Sequence, residues 1–209
     1  MKRIASLFAL TPALAFASCS EPESPSVDNA EASEALAPIM EEKIAVVPSI
    51  DVGLAVGETV PLNAKLNSGD GDKTLKTILE DGPAVMVFTR SVEWCPFCQT
   101  QLKGINSIVS DIEERGYKLY GVSYDSIASQ DRFSKNQMLK YQMLSDENSA
   151  TIDAFGLRDP QYTEGKAVGV PYASVIIIDK DGKITAKLVS GDYKKRPTND
   201  QLLALVDAI

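Results

Sequence analysis

Histidine is absent from this 209-residue chain. Its absence excludes imidazole metal ligands and every mechanism that depends on a Ser-His or Cys-His pair. Cysteine is scarce, with only Cys19, Cys95 and Cys98. A long run of lysine and arginine is also missing, and the formal net charge is −8. The charge pattern therefore argues against nucleic acid and anionic lipid head groups as partners.

The chain begins with a pattern typical of secreted proteins. A basic MKR is followed by an apolar stretch with small residues near its end. The stretch is too short and too weakly apolar to span a membrane, so it predicts a signal peptide over residues 1–18. Two forms of processing remain open. Ala15-Phe16-Ala17 fits ordinary cleavage, whereas AFASC resembles the lipobox of bacterial lipoproteins, in which Cys19 would be acylated.

Residues 19–48 are rich in Ser, Pro, Glu and Ala and contain few large apolar side chains. This composition predicts a disordered acidic tether. A tether suits a lipid anchor, so we favour acylation of Cys19 and a periplasmic protein of the bacterial cell envelope. The membrane is then a partner only through that anchor. Disulfides persist in this compartment, and Cys95 and Cys98 are left as each other's partner.

Residues 49–209 have a globular composition, and we expect a monomeric domain. The apolar run PAVMVFT is typical of a strand covered on both faces. The next segment places four apolar residues on one helix face that ends at Gly116: Leu102, Ile105, Val109 and Ile112. Strand-helix alternation, followed by a hairpin and a final helix, predicts an α/β fold with a mixed central sheet flanked by helices on both faces.

Several shorter elements complete this prediction. We expect strands at YKLYGVSYD and YQMLSD, helices at 73–82, 127–140 and SATIDAFGL, and a hairpin around Asp181-Gly182. The final helix should begin at Thr198 or Asn199. Its inward residues should be Leu202, Leu203, Val206 and Ile209.

The stretch EWCPFC, residues 93–98, holds the chemistry. Cys95 falls where the buried strand ends and the long helix starts, with Pro96 at the first helical position, which proline favours. Free N–H groups and the helix dipole stabilise a thiolate there. Cys98 lies three residues on, one turn deeper on the same helix face. We therefore expect Cys95 to be the attacking sulfur and Cys98 to resolve the resulting mixed disulfide.

Two other interpretations of the pair are weaker. A structural zinc site needs four ligands, and neither a second cysteine pair nor a histidine is present. A structural disulfide stabilises mainly by closing a long loop, and this one would close a very short loop. We favour redox chemistry, without a metal or another cofactor.

The segment FTRSVEWCPFCQTQL resembles the active-site segment of the thioredoxin-like superfamily, and GVPYASVIIIDKDGKI resembles its second signature. LSDENSATIDAFGL is similar to the redoxin branch that contains the alkyl hydroperoxide reductase and thiol-specific antioxidant (AhpC/TSA) proteins. The resemblance implies a thioredoxin-like fold. It also implies a cis-proline facing the dithiol, at Pro171, and a preceding residue, Val170, whose backbone pairs with a bound partner.

The resemblance leaves two activities open. A peroxiredoxin would oxidise Cys95 with peroxide and then condense it with Cys98. The family's peroxide-site proline, threonine and arginine correspond here to Phe88, Val92 and Ala173. These departures favour thiol-disulfide exchange with disulfide- or thiol-containing proteins and a second redox partner that resets the pair. Thiol peroxidase activity is the alternative, and a noncatalytic envelope binding protein is a third.

Four neighbours of the dithiol have expected roles. Thr89 stands where thioredoxins have a buried aspartate, so proton transfer would use water or Glu93. The charge of Arg90 would lower the pKa of Cys95, although a surface position for this arginine is the simpler interpretation. Trp94 would offer an apolar docking surface. Residues 158–169 form a loop that would rim the site, whereas KKRP at 194–197 is typical of a solvated face.

Overall fold

The computed structural model describes residues 49–209, so the predicted signal peptide, the tether and Cys19 lie outside the described residues. The strands are β1 (Lys65–Ser68), β2 (Gly71–Thr74), β3 (Ala84–Phe88), β4 (Lys118–Ser123), β5 (Gln142–Ser145), β6 (Ala173–Ile178) and β7 (Ile184–Ser190). The α-helices are α1 (Leu75–Leu79), α2 (Pro96–Ile105), α3 (Val109–Glu114), α4 (Ile127–Gln137), α5 (Ala150–Ala154) and α6 (Asn199–Asp207).

The strands form one sheet in the order β2-β1-β5-β4-β3-β6-β7. Strands β3, β4 and β5 are parallel, and the other pairings are antiparallel. The predicted mixed sheet is therefore confirmed. The edge hairpin of β1 and β2 ends at Thr74, so the helix predicted at 73–82 begins two residues later than expected, at Leu75.

Two apolar cores cover the two faces of the sheet. One core contains residues of α1 and α5, and the other contains residues of α2, α3, α4 and α6. Every residue of β3 is fully buried, which explains why its sequence is a continuous apolar run rather than an alternating one. Helices on both faces, as predicted, give the α/β thioredoxin-like architecture.

The helix predicted after the dithiol is interrupted. Its four apolar residues are all buried as expected, but a 3₁₀ helix at Asn106–Ile108 separates α2 from α3. The Ser107 hydroxyl donates to the carbonyl of Gly104 (2.8 Å). The Asn106 side chain accepts from the backbone N–H of Lys140 (2.7 Å). These polar side chains draw the backbone away from α-helical pairing.

Helix ends account for the other differences. Helix α4 ends at Gln137, earlier than predicted, because Met138 adopts a left-handed conformation with φ of 50°. The Thr198 side chain accepts from Gln201 N–H and caps α6, as predicted. Ile209 follows the end of α6 and is 52% exposed, so its predicted inward position is wrong.

None of the helices within residues 49–209 combines the length and apolar character that a bilayer crossing requires.

Candidate active site

The dithiol lies at the carboxyl end of β3 and the start of α2. Cys95 is the residue before the helix and Pro96 is its first residue, as the sequence predicts. The structure contains a disulfide between Cys95 and Cys98. The backbone N–H of Cys98 donates to Cys95 Sγ (3.3 Å), so one N–H group of the first helical turn points at that sulfur, as expected.

Both cysteines are deeply buried. Cys95 is 2% exposed and Cys98 is 0% exposed. The sequence placed Cys98 deeper than Cys95, and the difference in exposure is small. At this exposure the surface of a folded protein cannot reach Cys95 Sγ without a local movement.

A buried carboxylate fixes the loop that leads to Cys95. Asp125 accepts from the hydroxyl of Ser91 (2.6 Å) and from the backbone N–H of Val92 (2.7 Å). The Ser91 oxygen in turn accepts from the backbone N–H groups of Glu93 (3.0 Å) and Trp94 (3.3 Å). Burial raises the pKa of Asp125, and these hydrogen bonds oppose the rise. The loop is therefore held by side-chain hydrogen bonds up to the residue before Cys95.

Arg196 contacts the second sulfur. Its Nη2 donates to Cys98 Sγ (3.1 Å), its Nη1 donates to Gln101 Oε1 (3.0 Å) and its Nε donates to the carbonyl of Tyr193 (2.7 Å). The interpretation of residues 194–197 as a solvated face is therefore wrong for Arg196. Sequence reasoning missed it because 98 residues separate the two contacting side chains and no local spacing relates them.

The guanidinium of Arg196 remains a cation at neutral pH. Burial and the charge of Arg90 lower its pKa to about 10, and Asp192 opposes that shift. A permanent positive charge therefore lies against the disulfide.

Arg90 is buried as well, at 4% exposure, so its interpretation as a surface arginine is wrong. Its Cζ lies 5.1 Å from the ring centroid of Trp94, 4.4 Å from that of Tyr162 and 4.2 Å from that of Tyr193. Cation–π attraction to these rings offsets part of the cost of burying the charge. Its Nε has no hydrogen-bond partner within the described residues.

Thr89 and Glu93, the other candidates for tuning the dithiol, have different surroundings. The Thr89 hydroxyl is buried and has no hydrogen-bond partner within residues 49–209. The Glu93 carboxylate accepts from the Ser129 hydroxyl and pairs with Arg132 (3.4 Å), both on α4. Within the described part of the chain, neither Thr89 nor Glu93 donates to or accepts from a cysteine sulfur. Their effect on the dithiol, and that of Arg90, stays a prediction.

Trp94 connects the dithiol loop to the loop at 158–169. Its Nε1 donates to Tyr124 Oη (3.0 Å), and the Tyr124 hydroxyl donates to the carbonyl of Lys166. The Nζ of Lys166 lies 5.1 Å from the Trp94 ring centroid. The loop therefore rims the site, as the sequence indicated. The docking role of Trp94 is not tested by these contacts.

The peptide bond between Val170 and Pro171 is trans, since no cis bond occurs within residues 49–209. The cis conformation expected from the resemblance is wrong. Pro171 lies in an antiparallel bridge with Arg158, so the extended chain at this point is paired internally. The N–H of Val170 donates to the carbonyl of Ala167 (3.2 Å), and the carbonyl of Val170 accepts from the backbone N–H of Asp159 (2.9 Å). Neither group is available for the expected pairing with a partner chain.

An open groove of about 490 Å³ runs beside the first turn of α2. Its lining includes Phe97, Gln101, Lys194 and Arg196. Phe97 is 40% exposed, and its ring contacts the edge of the Tyr193 ring. The groove therefore places an exposed aromatic ring beside two cationic side chains, of which Arg196 contacts Cys98.

Comparison with known proteins gives a consistent result. A family model described as AhpC/TSA family matches residues 56–187. Peroxiredoxin Bcp of Escherichia coli (strain K12) is 27% identical over 150 residues, which are 72% of this chain and 94% of that protein. The 1-Cys peroxiredoxin PER1 of Triticum aestivum is 24% identical over 164 residues, 75% of this chain and 73% of that protein.

Solved structures agree at the level of the fold. Peroxidoxin BcpB from Mycobacterium tuberculosis superposes with a TM-score of 0.63 at 23% identity, covering 75% of this chain and 98% of that one. A cysteine-to-serine mutant of Xylella fastidiosa PrxQ also gives a TM-score of 0.63, at 22% identity, covering 74% of this chain and 96% of that one. The segment that matches the family model contains the dithiol but ends before Arg196.

Proposed function

Because the chain belongs to the AhpC/TSA family, we propose that it is a thiol-dependent peroxidase in which Cys95 reduces hydroperoxides and Cys98 resolves the oxidised sulfur. The relatives named as peroxiredoxins support this assignment. It reverses the preference for protein disulfide exchange that the sequence alone supported.

The burial of Cys95 carries the proposal. At 2% exposure, the sulfur suits a small oxidant better than the exposed disulfide of a folded protein. Exchange with a protein would also need backbone groups beside the dithiol for the partner chain. The two groups expected to serve, the N–H and carbonyl of Val170, are already hydrogen-bonded within the chain.

Positive charge lies close to the dithiol although the chain lacks the family's peroxide-site arginine. The family's arginine position corresponds to Ala173, which is 2% exposed and apolar. A guanidinium nevertheless reaches the dithiol, because Arg196 contacts Cys98 Sγ and Arg90 lies against the ring of the adjacent Trp94. Positive charge close to the dithiol favours the ionised form of a cysteine over the neutral thiol.

The proposed cycle has three balanced steps. The Cys95 thiolate attacks one peroxide oxygen; the S–O bond forms, the O–O bond breaks, and the other oxygen leaves as water or an alcohol after taking a proton. Cys98 then attacks the Cys95 sulfenic acid, forming the disulfide and releasing water. An external thiol reductant supplies two electrons and two protons to restore the dithiol. The disulfide form seen here corresponds to the end of the second step.

Thiol-disulfide exchange remains the second candidate. The peroxide-site positions of the family hold Phe88 and Val92 here, and both are buried and apolar. The backbone N–H of Val92 is also bonded to Asp125. A pair separated by two residues can serve exchange proteins equally well. For exchange, Cys95 would have to become exposed by movement of the surrounding loops.

A Cys98→Ser variant separates these functions. For a peroxidase, stoichiometric hydrogen peroxide should convert Cys95 to a sulfenic acid within seconds, read by dimedone labelling and peptide mass spectrometry. The matched Cys95→Ser variant should give no label at Cys98 on that timescale. Trapped mixed disulfides with proteins, together with slow labelling, would support exchange instead. If cells that carry the Cys95→Ser/Cys98→Ser variant have the same phenotype as cells that carry the natural protein, the noncatalytic alternative would be supported.

The cellular location is a proposal of its own. We propose that the protein lies in the bacterial cell envelope, anchored to the membrane through an acylated Cys19, because of the patterns in residues 1–48. Mass spectrometry of the mature N-terminal peptide should find a lipid on Cys19, and Cys19→Ser should release the protein from membranes. A mature chain that begins after Ala17 without lipid would contradict the anchor.

A further inference from the structure

We propose that Arg196 is a catalytic residue of the resetting step, binding the sulfur of Cys98 as a thiolate when an incoming thiol opens the disulfide. This inference rests on the proposed redox cycle of the dithiol. In this proposal the positive charge of Arg196 acts on the sulfur of Cys98 rather than on that of Cys95.

The first support is geometric. All three arms of the guanidinium are held: Nη2 by Cys98 Sγ, Nη1 by Gln101 and Nε by the carbonyl of Tyr193. Gln101 lies on α2, one turn after Cys98, and is itself 9% exposed. The guanidinium is therefore hydrogen-bonded to the same helix that carries Cys98, so it is in place before the disulfide opens.

The second support is the charge balance. Arg196 donates to a neutral amide, a neutral carbonyl and a disulfide sulfur, and none of the ion pairs within residues 49–209 includes it. Asp192 acts on it only at a distance. A partly buried guanidinium without a contacting anion is costly. Opening the disulfide supplies that anion, because Cys98 then carries the negative charge.

The third support is the difference between the two sulfurs. Within the described residues, Cys95 Sγ accepts from one backbone N–H, whereas Cys98 Sγ accepts from a charged donor. Charge-assisted hydrogen bonds are roughly twice as strong as neutral ones. A thiol of lower pKa also leaves a disulfide faster. Cys98 is therefore the better leaving sulfur, which directs an incoming thiolate to Cys95.

A reductant thiolate attacks Cys95 Sγ, the new S–S bond forms, and the bond between Cys95 and Cys98 breaks with its electron pair going to Cys98 Sγ. Arg196 holds that thiolate without transferring a proton. A second reductant thiol then attacks the mixed disulfide at the sulfur of the first reductant molecule, and Cys95 is released. The two reductant thiols are thereby oxidised to a disulfide, and the protein dithiol is restored.

The first experiment titrates Cys98 directly in the full-length chain. The ultraviolet thiolate absorbance of Cys95→Ser is measured against pH, and that of Cys95→Ser/Cys98→Ser is subtracted, which removes the contribution of Cys19. Adding Arg196→Gln should raise the titration midpoint and lower the thiolate fraction near neutral pH by about tenfold, as expected for the loss of one charged hydrogen bond. Arg196→Lys, made in place of Arg196→Gln, should give an intermediate titration midpoint because it keeps a positive charge.

Lys195→Gln is the matched control, because it removes the same charge from an exposed neighbour in the same loop. It should leave the titration of Cys98 unchanged. Circular dichroism shows whether each variant is folded, and Arg196→Lys keeps the test open if Arg196→Gln is not. Equal midpoints for Arg196→Gln and Lys195→Gln would overturn the proposal.

The second experiment measures the step itself. With Cys95 and Cys98 intact, excess dithiothreitol should open the disulfide several-fold more slowly in Arg196→Gln than in Lys195→Gln. Equal rates would also overturn the proposal. Neither measurement uses peroxide, so a failure of Arg196 and a failure of the peroxidase assignment can be told apart.

Discussion

The hydroxyl of Ser91 donates a 2.6 Å hydrogen bond to Oδ1 of Asp125, which lies 34 residues later in the chain. Ser91 follows β3 and Asp125 follows β4, two parallel neighbours in the sheet. The carboxyl ends of parallel strands meet at one edge, so the loops after them come together. This contact places a buried carboxylate directly behind the loop that ends at Cys95.

Replacing Asp125 with asparagine should destabilise the protein. The two carboxylate oxygens accept from Ser91, Ser123 and the N–H of Val92, whereas asparagine offers only one oxygen and turns an N–H toward the remaining donor. The expected loss is about 1–3 kcal/mol in the free energy of unfolding, measured by denaturant titration at neutral pH. Asp72→Asn, an exposed site on β2, is the control. Equal stability of the two variants would show that the network contributes little.

The same variant should alter the pH dependence of stability. Burial raises the pKa of Asp125, so across the acid range the folded protein holds this proton more tightly than the unfolded chain does. The free energy of unfolding therefore falls as pH rises from the usual aspartate value, about 3.9, through the raised one. The stability advantage of the natural protein over Asp125→Asn should be larger below this window than above it. An advantage that grows with rising pH would mean that the fold favours the ionised carboxylate.

The fold could be predicted from the sequence because its signals are local. The run at 84–88 and the helical spacing of Leu102, Ile105, Val109 and Ile112 depend on near neighbours in the chain, and all of these residues are buried. The position of Cys95 before Pro96 is equally local. These features define the sheet, its covering helices and the place of the dithiol.

The surroundings of the dithiol could not be predicted in the same way. Arg196 reaches Cys98 from a loop before the last helix, and the basic residues beside it gave no reason to separate it from a solvated stretch. Pro171 pairs with Arg158, a contact between two segments that no pattern in either segment reports. Such long-range contacts decide which groups the cysteines meet.

Tyr124→Phe should loosen the loop at 158–169. The Tyr124 hydroxyl accepts from the Trp94 indole and donates to the carbonyl of Lys166, so its removal breaks the connection between the two loops. Loss of about 1 kcal/mol of hydrogen bonding should speed amide hydrogen exchange in the loop by roughly fivefold. Tyr162→Phe is the matched control within the same loop, because the Tyr162 hydroxyl makes no hydrogen bond within residues 49–209. Similar exchange in both variants would show that the ring contacts with Arg90 hold the loop instead.

Two glycine-to-alanine changes should shift stability in opposite directions. Gly169, next to Val170, has φ of +90°, and an added Cβ would lie 2.6 Å from Ser149 Oγ. Gly104 is an exposed residue inside α2, and the nearest atom to its added Cβ is 4.0 Å away. Gly169→Ala should cost about 1 kcal/mol or more, whereas Gly104→Ala should gain about 0.5–1 kcal/mol.

The comparison isolates the native backbone beside the site. Both changes restrict the unfolded chain equally, so the difference between their denaturation midpoints reports the strain at Gly169 together with the helical preference at Gly104. A gain in stability for both would mean that the 169–171 segment accommodates a side chain by moving. In that case the backbone groups of Val170 could also become free to bind a partner chain, and thiol-disulfide exchange would regain support against the peroxidase.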